Sequence, residues 1–572
     1  MFQNGFRLRA VSIFVIAAAL FLAGCATSQP EQTTQSSPTQ TAVNTPGAAP
    51  TTPLPTEPTL MENTPQVEPQ PADTPIPAAP EPTAEPVSLI NPGFEEQAAD
   101  GTPAGWQHAG TVEAVLLEDR GHSGDVRLTH KGSQQYRVET SQTVTGLADG
   151  WYTLRAWIRS TGGQNEAYIA LTCGYEEKRV SLPSTMPGYR WLAVALSNQV
   201  SGGACTIRLV SEGGPDTWAS FDDIELLPGR TALSIVGADI SSLKKSEDFG
   251  GVYRYPDGTE AGALDILKDY GMNYARLRVF VDPADDYHNK EKILEIAQRL
   301  KSKDIALLVD FHYSDNWADP GKQIKPAAWQ GLDFEELKQA VYDHTFDVCS
   351  SLVEQGTPPQ MVQVGNEINA GLLWPDGDYN NFDNMADLLK AGHQAVKDCS
   401  SDTQVMLHIA EGGDNSLARW WFDNITRRDV PFDVIGISYY PFWHGSMPEL
   451  QANLNDITAR YDKDVIVVET AYAFTEAEDD DLENIANPSL MVAGYPYTPE
   501  GQHAMLSDIM TVVRGVNGGR GIGIFYWDAT WTAVEGNGWD NEDPQSGNAW
   551  ENQALFDFDD RALPALEAFL NP

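Results

Sequence analysis

Two glutamates close apolar runs in this chain. "MVQVGNEI" carries Glu367 just after Val362 and Val364, and "VIVVETAY" carries Glu469 just after Ile466, Val467 and Val468. A carboxyl group at the end of a buried strand is costly to desolvate, so its presence asks for a chemical reason. Paired carboxyls have one in glycoside hydrolysis. One protonates the leaving oxygen, while the other attacks the anomeric carbon or activates water. Other apolar runs also end in polar residues: Asp239, Arg276 and Arg278, Asp310 and His312, Asn366 beside Glu367, His408, Tyr439 and Tyr440, and Trp527 with Asp528. Trp317, Trp329, Trp374, Trp443, Trp531 and Trp539 lie at or just beyond such ends, offering flat rings for sugar faces. No Ser-His-Asp pattern, phosphate loop or HExxH helix competes with this chemistry.

These residues need a scaffold that brings eight strand ends together. Eight short apolar runs can be read at 233–240, 274–281, 305–314, 361–368, 404–410, 434–441, 465–472 and 521–528. Helical patterns lie between them, for instance 289–303 and 335–355. Such alternation predicts an α/β (β/α)8 TIM barrel over 230–572, whose C-terminal strand ends meet on one face. A doubly wound open sheet is the competing topology, but no Gly-rich dinucleotide fingerprint follows the first strand.

The chain has 572 residues and a formal net charge of −44, which argues against nucleic acid and anionic membrane surfaces and leaves neutral sugars open. At its start, Arg7 and Arg9 precede an apolar run, Val11 to Leu22, too short to span a bilayer. It ends in "LAGC", which resembles a bacterial lipobox. That resemblance implies a signal peptide over 1–24, acylation of Cys25 and a lipid-anchored protein on the outer side of a bacterial envelope. Residues 25–87 are rich in Thr, Pro and Ala, with seven acids and no Lys or Arg, and read as an extended tether. Residues 88–229 show short alternating runs (151–160, 166–171, 190–196, 205–210) separated by turn residues, which predicts an all-β sandwich or jelly roll. Its aromatic candidates for sugar stacking are Trp106, Tyr136, Trp151, Tyr175 and Trp218. Beyond Cys25, four cysteines fall by region into Cys173 with Cys205 and Cys349 with Cys399, candidate disulfides in an exported chain.

Several strings resemble known families. "LINPGFEE…GTPAGW" and "ASFDDIELLP" are similar to the ends of jelly-roll carbohydrate-binding modules. "NYARLRVFVDP", "DFHYSDNWADPGKQ", "VGNEINAGLLWP", "SYYPFW", "VVET" and "FYWDATW" resemble glycoside hydrolase family 53, the endo-β-1,4-galactanases. This resemblance implies Glu367 as general acid/base and Glu469 as nucleophile of a retaining enzyme, with carboxyls ~5–5.5 Å apart. It implies Asn366 at the sugar 2-hydroxyl and Arg276 holding Glu469 ionised. His312, His408, Tyr440 and Trp527 would shape the subsite at the scissile bond; Asp239, Trp317 and Trp374 would extend the cleft, and Asp315 would also bind substrate. No catalytic cofactor is implied. Bacterial members can bridge two loops with calcium, for which Asp479, Asp481 and Glu551 are the candidates. The expected partner is β-1,4-galactan, cut by a monomer. Hydrolysis of another β-linked polysaccharide, or non-catalytic glycan binding at a cell surface, are the alternatives.

Overall fold

The computed structural model describes residues 86–572. Cys25 and the signal-like segment lie outside the described residues. Among the described residues, no helix is long and apolar enough to cross a membrane.

The first part of the described chain forms two five-stranded antiparallel sheets. One orders Gln107–Gly110, Tyr136–Thr145, Ala204–Gly213, Glu166–Cys173 and Glu176–Ser181 side by side; the other orders Val115–Asp119, Val126–Lys131, Trp218–Pro228, Gly150–Ser160 and Leu192–Val200. Period-two burial, clearest along Tyr136–Thr145, turns one face of each strand inward. Leu154, Ile158, Ile169, Leu171, Ile207, Leu209 and Phe221 are fully buried, each worth ~1.5–3 kcal/mol of transfer free energy. Trp106 and Tyr136 belong to this core, not to a sugar platform. Their polar atoms are satisfied inside, Trp106 Nε1 donating to Asn91 O and Tyr136 Oη to Thr217 O, which removes the main cost of burying them. Cys173 and Cys205, direct neighbours in the strand register, form a disulfide.

The second part is a closed barrel of eight parallel strands: Ile235–Asp239, Tyr274–Val279, Ala306–Phe311, Met361–Val364, Gln404–Ile409, Val434–Ser438, Asp464–Glu469 and Gly521–Tyr526. Each coincides with one of the eight apolar runs read from the sequence. Helices on the outside start where the sequence provides caps. Asn289 accepts from Lys292 N ahead of Lys290–Ser302, and Asp333 with Glu336 forms a capping box ahead of Phe334–Glu354. A disulfide between Cys349 and Cys399 ties that helix to Phe382–Cys399.

Alternation along the strands divides the barrel interior. Tyr274, Leu308, Met361 and Met406 pack with Val434, Ile466 and Phe525 into an apolar plug. Two residues further along the same strands stand Arg276, Asp310, Gln363 and His408. The side-chain period of two puts these on the same inward face, one layer nearer the C-terminal ends. The seventh strand needs one correction to this rhythm. Its pairing with the sixth shifts between Ile437 and Ser438, so that Ser438 stands opposite Glu469 and Val468 is skipped. An extra residue of this kind re-aims the side chains that follow it.

The sheets and the barrel meet along strand Leu192–Val200, the outer strand of its sheet. Gln451, on barrel helix Met447–Tyr461, accepts from Ala193 N at 2.7 Å and donates to Ala193 O at 2.8 Å. Arg514 Nε donates to Ala195 O at 3.1 Å. Nearby, Ser184 N donates to Tyr495 Oη, which itself donates to Asp508 Oδ2 at 2.6 Å.

Candidate active site

The fourth strand ends at Val364, and the chain then turns sharply. Gly365 has φ 88°, and Glu367 sits in the left-handed region at φ 48°, ψ 51°. For a non-glycine residue that conformation costs of order 1–3 kcal/mol and is found where a site over-determines it. It leaves Glu367 partly accessible, with its Oε1 accepting from Ser438 Oγ at 2.6 Å.

Glu469 is held very differently. Its Oε1 lies 2.8 Å from Arg276 Nη2, and its Oε2 accepts from Tyr440 Oη at 3.0 Å. Arg276 is 1 % exposed and shared: it is 3.0 Å from Asp239 and 2.8 Å from Asp310, and it donates to Asn366 Oδ1 at 2.8 Å. Burial raises both glutamates above the usual carboxylate range. Glu469 is pushed up to about 7, with Arg276 and the Tyr440 hydroxyl opposing the rise while Asp310 and Asp239 add to it. Glu367 goes well above its ordinary value, through burial and then the charge of Glu469, with only the Ser438 donor and distant Arg276 pulling back. Arg276 therefore does not hold Glu469 at an ordinary carboxylate value, because burial outweighs its charge and Asp310 and Asp239, which share it, add to the rise. It does keep Glu469 the more acidic of the two. In a pair with one proton to share, that proton goes to Glu367.

The other candidates sort by depth. Asn366 is buried, its amide donating to Ala318 O. Asp239 and His408 are fully buried and lie beneath the site, so neither meets a substrate directly. His312 bonds Asp310 Oδ2 at 3.0 Å and accepts from Ala318 N. Asp315 spends its carboxylate on the backbone amides of Asp282 and Ala327, which makes it a loop tie. Trp317 stacks against Trp531 and Trp539 with Arg278 4.2 Å from its ring centre, and Trp527 meets Trp550 edge-on at 4.6 Å. Trp374 is half-buried on another loop, its Nε1 donating to Ala370 O. Half-exposed Trp317 and Trp539 thus rest on buried Trp531 and Trp550, a rigid aromatic wall beside the two glutamates' strands. Asp479, Asp481 and Glu551 are not gathered into one carboxylate cluster. Among the described residues no group of three His, Cys, Asp or Glu is placed to hold a metal. Asp481 is exposed, Glu551 Oε1 accepts from Asp479 N, and it is Asp480 that crosses between the loops to accept from Asn548 N.

Sequence reasoning passed over Gln363, Ser438 and Trp550. Gln363 was detectable, since it shares the inward parity of Met361. Ser438 shares the inward parity of Val434 in the same way, but a serine inside "IGISYY" carries no sign of its partner.

The sequence model of Glycosyl hydrolase family 53 matches residues 235–569, the whole barrel. The chain belongs to that family. A family-53 catalytic domain from Ignisphaera aggregans is similar in structure, with a TM-score of 0.56 and 41% identity, over 59% of this chain and 95% of that one. Endo-beta-1,4-galactanase of Bacillus subtilis is 33% identical over 380 residues, 60% of this chain and 87% of that protein. An uncharacterized protein of Niallia circulans is 41% identical over 343 residues, 58% of this chain and 93% of that protein. Membership in family 53 makes this chain a glycosidase.

Proposed function

We propose that this glycosidase cleaves β-1,4-galactosidic bonds within galactan chains, with retention of configuration. Glu367 serves as acid/base and Glu469 as nucleophile. The observation that carries the reading is the unequal treatment of two carboxyls on facing strand ends: Glu469 is charge-paired and hydrogen-bonded on both oxygens, while Glu367 has one hydroxyl donor and partial access. Glu469 attacks the anomeric carbon as Glu367 protonates the departing oxygen; water then displaces Glu469 while Glu367 takes up its proton. Asn366, held by Arg276 and Ala318 O, is presented to a sugar hydroxyl, and the aromatic wall around Trp317 stacks the neighbouring sugars. The galactanase names of the relatives support galactan as the polymer.

The two-sheet unit is proposed as a jelly-roll carbohydrate-binding module. Its accessible aromatics are Trp151 and fully exposed Tyr175, with half-buried Trp157 and Trp191 packed around His122 on the second sheet. The lipobox-like "LAGC" and the tether composition support a lipid-anchored enzyme on the outer surface of a bacterial cell, acting there as a monomer.

The test is product release from linear β-1,4-galactan, β-mannan and carboxymethylcellulose, with the anomer formed first read by NMR. Galactan alone should be cut, giving the β-anomer first. Cleavage of only mannan or cellulose would overturn the substrate, and first formation of the α-anomer would overturn the mechanism.

A further inference from the structure

Behind Glu367 runs a chain of hydrogen bonds to which double displacement assigns no task. Ser438 Oγ lies 2.6 Å from Glu367 Oε1, and His408 Nε2 lies 2.8 Å from the same Ser438 Oγ. Ser438 and His408 are fully buried, so neither meets substrate or bulk water. The other imidazole nitrogen, His408 Nδ1, faces Gln363 Nε2 at 3.0 Å, Asn366 Oδ1 at 3.1 Å and Glu367 N at 3.4 Å.

The bond directions from His408 through Ser438 to Glu367 can be deduced. Gln363 Oε1 accepts from Arg276 Nε, and Gln363 Nε2 donates to the Asp310 carboxylate; reversing the amide would set oxygen against oxygen and nitrogen against nitrogen. The one hydrogen left on Gln363 Nε2 has His408 Nδ1, Asn366 Oδ1 and Gly365 O within reach. The backbone N–H of Glu367, which can only donate, points at His408 Nδ1 at 3.4 Å. His408 Nδ1 is thus an acceptor. Burial and then the charge of Arg276 keep the ring neutral, holding its pKa well below the usual histidine value. A neutral ring with Nδ1 free carries its hydrogen on Nε2. That hydrogen goes to Ser438 Oγ, and the single hydroxyl hydrogen of Ser438 is left to point at Glu367 Oε1.

We propose that Ser438, oriented by His408, is a positioning residue that reserves Glu367 Oε1 as an acceptor and confines the exchangeable proton of Glu367 to Oε2. The inference rests on Glu367 being the acid/base. In the first step the Oε2 proton passes to the leaving oxygen as its bond to the anomeric carbon breaks and the bond to Glu469 forms. In the second step water bonds to that carbon, the bond to Glu469 breaks, and the water proton returns to Oε2. The Ser438 hydrogen stays on its oxygen throughout. Without it, Glu367 is free to rotate and to carry its proton on the oxygen turned away from the substrate.

A donor to the charged form also lowers a carboxyl pKa. The charged groups acting on Glu367 are Glu469 and Asp319, which disfavour its charge, and Arg276, which favours it; neutral Tyr440 and, through Ser438, neutral His408 also face it. Losing the hydroxyl moves Glu367 upward.

The experiment compares Glu367→Ala, Ser438→Ala and Ser438→Thr in the full chain. kcat/KM is read on linear β-1,4-galactan and on 2,4-dinitrophenyl β-galactobioside, whose leaving group needs no proton. Ser438→Ala should lose roughly tenfold on galactan, part of the ~10²–10⁴ that an acid catalyst supplies. It should keep dinitrophenyl activity within about twofold, which also shows that the variant is folded, and its basic limb on galactan should move to higher pH. Ser438→Thr, which retains a hydroxyl, should restore the galactan-to-dinitrophenyl ratio. An unmoved ratio and basic limb in Ser438→Ala, or equal losses on both substrates, would overturn the positioning role. Full galactan activity in Glu367→Ala would instead overturn the acid/base assignment itself.

Discussion

The two ends of the barrel interior are built from the same strands and solve opposite problems. At one end Tyr274, Leu308, Met361 and Met406 fill space with apolar groups that need nothing but each other. Two residues on, Arg276, Asp310, Gln363 and His408 fill the same cross-section with groups that each depend on a specific partner. The apolar layer tolerates trimming at a graded cost. In the polar layer, removing one partner leaves a buried charge stranded, which typically costs 3–5 kcal/mol. Strength lies in the first layer and chemistry in the second, and the alternation of a β-strand makes the change within one step.

Substitutions can separate the two layers. The largest effect is expected from Glu469→Ala, which should lower galactan cleavage on the order of 10⁶-fold, judged by loss of a nucleophile elsewhere; reducing-end release measures it. Met406→Ala, in the plug, should cost about 2–5 kcal/mol in denaturant unfolding. Its kcat/KM well below the melting temperature should stay within about twofold, and a large catalytic loss would show that the layers are not separable. Tyr440→Phe removes a donor that favours ionised Glu469, so Glu469 rises further above its value of about 7. The acid limb of kcat/KM should then shift to higher pH; a shift downward would contradict the assignment of that limb to Glu469.

The smallest effect is on stability, away from both layers. Burial raises Asp508 to about 7 at the contact with Tyr495. The folded state thus holds a proton that the unfolded chain releases near pH 4. Stability from this group is full below that pH and is lost as pH rises toward 7. Asp508→Asn should flatten the fall in melting temperature between about pH 4 and 7, as scanning calorimetry would show.

The barrel was readable because its eight strands are short apolar runs with polar ends, a pattern that survives without knowledge of neighbours. The identity of the polar ends was readable for the same reason, but their depth was not. Asp239 and His408 were expected at the cleft and lie beneath it, because distance from the surface depends on the shear of the closed barrel and not on position in a run. Ser438 was legible as an inward residue but not in its role, since a small hydroxyl in an apolar strand acquires meaning only through Glu367 and His408. The aromatics of the sheets were open between core and sugar platform by type alone, with the core the heavier expectation. Trp106 and Tyr136 find buried partners for their polar atoms, a fact fixed by the backbone carbonyls of Asn91 and Thr217 far along the chain.

The grip of Gln451 on Ala193 has a consequence for how these pieces can be recombined. One carboxamide supplies the donor and the acceptor that a further strand would bring, so the sheet is finished by a side chain belonging to another fold. Cutting the chain between the two would leave that strand with a raw margin, the surface through which sheets join into larger aggregates. A graft of the sheet unit onto a different enzyme must therefore carry an amide to the same spot, or cover Leu192–Val200 in some other way.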